Sequence, residues 1–136
     1  MAKLLTLLHV LMIPKEQSFQ VVDHLHIDEV KCKCKYDTCH YTIVAGETIS
    51  KFEELREIFG KPIHITSFYR CQKHNEDVGG VKHSSHTTGL SFDVDTSYMS
   101  NLDKEVIINI AKELFDFVKV YNNFIHCQLN PTESNV

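Results

Sequence analysis

The stretch Leu90-Ser91-Phe92-Asp93-Val94-Asp95 alternates strictly between apolar and polar residues, and it constrains the fold more than any other segment. Successive side chains of a strand point to opposite faces, so Leu90, Phe92 and Val94 must enter a core while Ser91, Asp93 and Asp95 face the other way. The flanking sequence supplies cover for that core. Upstream, TISKFEELREIF (48–59) puts Ile49, Phe52, Leu55 and Phe59 on one helical face, with Gly60 and Pro62 as the stop. Downstream, SNLDKEVIINIAKELF begins with a capping-box-like Ser100 and Asp103 and carries Val106, Ile107, Ile110, Ala111 and Leu114 at helical spacing. PIHITSFYR predicts a strand over 63–69 that delivers Arg70 at its end, and NEDVGGVKHSSHTTG reads as a polar loop. FVKVYNNFIHCQL reads as a hairpin in which Asn122 and Asn123 tolerate positive φ and the second strand points Phe124, His126 and Gln128 to one side. Helices set among short strands and hairpins predict an α+β domain with an antiparallel sheet.

At 136 residues and 43% hydrophobic, the chain suits one globular domain. Its formal charge of −4, with the bases dispersed among acids, gives no footprint for nucleic acid or an anionic membrane. The start, MAKLLTLLHVLMIPKEQ, has the charge and apolar run of a signal peptide but no small-x-small cleavage site, and the run is too short to span a bilayer. Residues 1–30 are therefore expected to pack on the domain as a strand or helix, and 131–136 to form a flexible tail. A monomer is expected.

Five cysteines cannot form a fully paired disulfide framework, which favours synthesis in a reducing compartment. Cys32, Cys34, Cys39 and His40 in CKCKYDTCH could hold a second, structural zinc, although the spacing lacks the usual paired Cys-x-x-Cys. Reduced, partly buried thiols are the favoured reading, with Cys71 lacking a visible partner and Cys127 turned away from His126 toward packing.

Nine histidines are more than packing needs, and a metal site is worth seeking. In SSHTTGLSFDVD, His86 and Asp93 could supply two ligands, with Gly89 letting the chain bend between them and Ser91 leaving room on the strand face. The same spacing also fits a solvated histidine and an ordinary strand-end carboxylate.

That segment resembles the signature of the zinc D-alanyl-D-alanine carboxypeptidase family, Ser-x-His-x-x-Gly-x-Ala-x-Asp, with Ser84, His86, Gly89, Ser91 in the alanine place, and Asp93. Upstream, Ser67 and Arg70 match the family's Ser-x-x-Arg strand end, and Asn75, Val78, Gly79 and Gly80 match its Asn-x-x-Val-Gly-Gly loop. YNNFIHCQL is similar to the late strand that carries its last ligand. The resemblance implies a hedgehog/DD-peptidase-like fold over 31–130 and one zinc held by His86, Asp93 and His126, with a position left for water. It further implies action on peptidoglycan stem peptides that contain D-amino acids. The short chain, without an export signal or a wall-binding module, favours a phage lysis or virion enzyme over a periplasmic one as an expectation.

Arg70 matches the family position for a cation that stabilises an oxyanion; its alternative is a structural ion pair. The family's acidic base, three residues before the last histidine, is replaced by Asn123, and a common aspartate two residues after that histidine is replaced by Gln128. His83 and Asp95 are candidate substitutes for the base, and Ser67, Ser84 and Asn123 are candidates for substrate contact. Two functions follow: a zinc peptidase, or a metal-holding but silent module that binds a wall peptide or a protein. A phosphate-binding role for GGVKHSSH lacks the required strand, loop and helix order.

Overall fold

The computed structural model describes residues 3–5, 9–130 and 133–135. In chain order the elements are β1 (Lys3–Leu5), β2 (Val10–Pro14), β3 (Gln20–Val22), β4 (Leu25–His26), β5 (Tyr41–Ala45), α1 (Gly46–Phe59), β6 (Ile65–Ser67), α2 (Gln72–Asp77), β7 (Ser91–Asp95), α3 (Asn101–Leu114), β8 (Phe117–Val120), β9 (Phe124–Gln128) and β10 (Glu133–Asn135). The central sheet runs β6-β7-β9-β8, antiparallel throughout, and α1 packs against α3 beside it. The described residues also form three two-stranded ribbons: β2 with β5, β3 with β4, and β1 with β10. This is the expected α+β architecture. Val10–Pro14 pairs with β5 as a strand, and Glu133–Asn135 pair with β1. Residues 1–2, 6–8, 131–132 and 136 lie outside the described residues.

Phe92 is the centre of the core. Its ring meets Phe52 of α1 edge-on at 5.4 Å, stacks on Phe68 at 5.2 Å and meets Phe115 edge-on at 5.3 Å. Burial of one such side chain contributes about 1.5–3 kcal/mol, so this face of β7 fixes how the helices sit on the sheet. Because the strand has a period of two, the same burial forces Ser91 and Asp93 to the opposite face, where the cleft lies.

Five local expectations are corrected. The strand at 63–69 is only Ile65–Ser67, with its register to β7 shifted within it, and Phe68 and Tyr69 are core residues beyond its end. The polar loop contains a short helix, α2, because the Cys71 thiol accepts the His74 N–H and caps it, and a 3-10 turn at Ser85–Thr88 capped by Ser84. Val106 is exposed, and the buried face of α3 is Ile107 and Ala111. Asn122 and Asn123 do not take positive φ; His83 is the one non-glycine residue among those described that does. At the start of α3 the Ser100 hydroxyl accepts the Asp103 N–H as expected, but the Asp103 carboxylate reaches Lys61 at 2.9 Å rather than closing a box.

Candidate active site

The register of the central sheet builds the site. Asp93 on β7 is opposite His126 on β9, and Ser67 on β6 is opposite Asp93, so residues distant in sequence form one row across three strands. His86 arrives from the 3-10 turn, held by two features of its glycine. Gly89 has φ +71°, and a β-carbon there would lie 2.3 Å from the backbone of Ile43 and Val44, so the turn fits under β5 only without a side chain. The Gly89 carbonyl then accepts the Ala45 N–H.

Two imidazoles and one carboxylate converge with ligand atoms within 4.8 Å of one another. Asp93 Oδ1 is 2.9 Å from His126 Nδ1 and 3.2 Å from His86 Nε2. The outer nitrogens have fixed partners: His86 Nδ1 donates to the Phe68 carbonyl at 2.7 Å, and His126 Nε2 donates to Gln128 Oε1 at 2.9 Å. Each ring therefore directs its other nitrogen at the same point, which is how metal-binding histidines are usually oriented. Burial alone would raise the Asp93 carboxyl, but hydrogen bonds and charge from His126 and His86 outweigh it and hold the group at about 2. Burial acts to lower His126, and its bonds to Asp93 and Gln128 raise it above its ordinary value. The donor set, the aimed lone pairs and the buried carboxylate fit a zinc ion taken from the cleft side.

Arg70 lies against this group and is fixed on three sides. Its Nε donates to Ser67 Oγ at 3.0 Å, Nη1 to Asn75 Oδ1 at 3.1 Å, and Nη2 lies 3.5 Å from Asp93 Oδ2. Asn75 is buried and also donates from Nδ2 to the Val81 carbonyl. A β-carbon at Gly80 would fall 2.0 Å from Asn75 Oδ1 and 3.0 Å from Arg70 Nη1. The Asn-x-x-Val-Gly-Gly segment is thus a clamp for the guanidinium, and Gly80 is the space the clamp occupies.

These groups open into a cleft of about 610 Å³, lined among others by Arg70, Gly80, His83, His86, Asp93, Phe117, Lys119, Tyr121, His126 and Gln128. Asp93 is the one carboxylate among the described lining residues. His83 is exposed at the rim with φ +60°. Ser84 lines the cleft, but its hydroxyl accepts the His86 N–H. Two expected substrate contacts fall outside: Ser67 stands behind Arg70, and Asn123 sits in the hairpin turn, where its carbonyl accepts the Thr96 N–H. Odd and even positions of β9 face opposite ways, and Phe124, His126 and Gln128 take the cleft side, as the alternation requires. Asp95 is also diverted, accepting from the Ser97 N–H at 2.8 Å and facing His64.

Sequence reasoning missed Lys119, which shares the cleft face of β8 with Phe117, and Tyr121 just past the end of that strand. The alternation in FVKVY was the available signal. It also left Ser85 unassigned. That hydroxyl donates to Gln128 Oε1 at 2.9 Å and accepts from Ser91 at 2.7 Å, so Ser91, in the alanine place, braces the acceptor that orients His126. Away from the cleft, Cys71 joins Cys32, Cys34 and Cys39, while His40 is exposed and outside that group.

Among known families, the one described as Peptidase M15 matches residues 23–128. The chain belongs to that family, whose members are zinc metallopeptidases. No curated protein sequence matches the chain.

Proposed function

We propose that this M15 peptidase is zinc-dependent and hydrolyses peptidoglycan stem peptides, as a D-alanyl-D-alanine carboxypeptidase or an endopeptidase. The observation that carries the reading is the convergence of His86, Asp93 and His126 on one point of an open cleft beside a clamped guanidinium. His86, Asp93 and His126 are the proposed zinc ligands. Zinc bound there supplies Lewis acidity toward a peptide carbonyl and makes hydroxide available at neutral pH.

The chain's own groups have separate tasks. Arg70, already positioned by Ser67 and Asn75, presents fixed positive charge where an oxyanion develops, commonly worth about 3 kcal/mol of barrier. His83 is the proposed proton acceptor, since imidazole is the commonest general base and His83 is the cleft histidine that lies outside the ligand group. Lys119, whose ammonium lies 5.1 Å from the centre of the Tyr121 ring, offers charge to a carboxylate of the stem peptide. Gln128 and Phe68 hold the two imidazoles in their tautomers.

A second reading, a metal-holding but silent module that binds a wall peptide or a protein, is favoured by one observation. The cleft lining holds no carboxylate beyond Asp93 among the described residues, and Asn123 stands outside it. Digestion separates the two readings. Zinc-loaded protein is incubated with purified muropeptides and the products are weighed by mass spectrometry. The peptidase reading expects loss of D-alanine or a cut within the stem, and none from the His86→Ala protein. Tight zinc binding with every muropeptide left whole supports the silent module.

A further inference from the structure

We infer that Cys32, Cys34, Cys39 and Cys71 form a second metal site, structural and closed, that takes a thiophilic divalent cation such as zinc. Their sulfurs all lie within 4.8 Å of one another, and Cys34 Sγ is 3.7 Å from Cys71 Sγ. A tetrahedron of sulfurs about 2.3 Å from a central zinc has edges of about 3.8 Å. A disulfide would require about 2.05 Å, and all four thiols are free.

Donors face three of the four sulfurs, while burial pushes the Cys32 and Cys39 thiols up. The Cys71 N–H points at Cys32 Sγ at 3.3 Å and the His74 N–H at Cys71 Sγ at 3.4 Å, so backbone donors face the sulfurs. The Lys15 ammonium lies 3.5 Å from Cys34 Sγ and bonds the Cys34 carbonyl at 3.3 Å. Four thiols that bind a divalent cation release four protons and leave a dianion, half of whose charge that ammonium offsets. Backbone N–H groups and a cation supply what such a charge needs when half-buried.

The site also accounts for a loop that regular structure does not. Residues 32–40 contain no helix or strand, yet they are anchored to the start of α2, where Cys71 is the capping residue. Tyr36 adds a hydrogen bond to Asp77, and Lys73 lies over the Tyr36 ring at 4.8 Å. A metal at this junction ties the loop to α2, and α2 carries Asn75, which clamps Arg70. The four-sulfur site therefore positions the guanidinium from behind without touching the cleft.

Occupancy of the sulfur site can be measured with no peptidase activity present. The test uses the full chain carrying His86→Ala and His126→Ala, purified under reducing conditions and loaded with zinc or cobalt(II). The expected result is one metal ion per chain, intense near-ultraviolet sulfur-to-cobalt charge transfer, and four cysteines shielded from alkylation until a chelator is added. The wild-type chain should hold two ions, and Cys34→Ser with Cys39→Ser should reduce that to one. A double-histidine variant that holds no ion, shows no charge-transfer band and alkylates at the same rate with and without chelator would overturn the site. Shielding is also read on the wild-type chain, so the site is decided there even where a cysteine variant fails to fold.

Discussion

Two candidate metal groups among the described residues, the cleft triad and the four cysteines, are built in opposite ways. His86, Asp93 and His126 come from a 3-10 turn and two strands of the central sheet, and their orientation is fixed by a carbonyl, an amide and strand register before any ion arrives. Cys32, Cys34 and Cys39 come from a loop with no ladder of its own, and Cys71 comes from the cap of a six-residue helix. The first offers three nitrogen and oxygen donors and opens on a cleft; the second offers four sulfurs and has no remaining valence in a tetrahedron. Rigidity therefore has two sources in this fold. A sheet can hold ligands in place for chemistry, whereas a loop of this length needs the ion to hold it.

Removing a cleft ligand gives the largest effect that separates the two. His126→Ala should lower kcat/KM on a muropeptide by at least about a thousandfold, since several kcal/mol of Lewis-acid stabilisation are lost, while total bound metal falls by one ion and the fold persists. Metal analysis with steady-state kinetics checks both halves.

Next comes Arg70→Ala, expected to cost about 10²–10³ in kcat with both ions retained. Arg70→Lys should recover little of it, because an ammonium cannot bond Ser67 and Asn75 at once as the guanidinium does. Gly80→Ala tests the clamp from behind: its β-carbon would displace Asn75, and a destabilisation of about 1–3 kcal/mol in urea unfolding should accompany a smaller loss of kcat.

Gln128→Ala removes the acceptor of His126 without touching a ligand, and zinc affinity measured by chelator competition should weaken about 10–100-fold. The same change should leave the sulfur site's ion count untouched. An equal loss at both sites would show that they are not independent.

The smallest effect is one of pH on the chelated protein. His126 is raised above its ordinary 6.5, against the effect of burial, by its bonds to Asp93 and Gln128. Its contribution to stability is therefore complete below about 6.5 and lost as pH rises through the folded value. Zinc competes with that same proton at Nδ1, so affinity should climb over the window in which the metal-free protein weakens. Thermal unfolding with and without chelator across this range should show the gap widening, and His126→Gln should flatten it.

Much of the site was legible because period-two alternation is a strong signal. LSFDVD placed Phe92 inward and Asp93 outward, and FIHCQ placed His126 and Gln128 together with Cys127 buried behind them. What could not be read was register. Nothing in a single chain says that Asp93 lies opposite His126, that Asn123 falls outside the cleft, or that Cys71 meets three cysteines more than thirty residues earlier. Those facts are set by long-range pairing and by the path of irregular loops. Similarly, α2 was hidden because its cap is a cysteine, a residue with no reputation for capping, and the polar sequence after it reads equally as loop.

Cobalt(II) titration of the metal-free chain, with charge transfer and stem-peptide cleavage followed in the same samples, decides whether the two groups divide the work in this way. Filling the sulfur site should raise the near-ultraviolet band without activity, and cleavage should begin only as the ion of His86, Asp93 and His126 is bound. Cleavage that tracks the sulfur band, or that survives unchanged in the His86→Ala chain, would contradict that division.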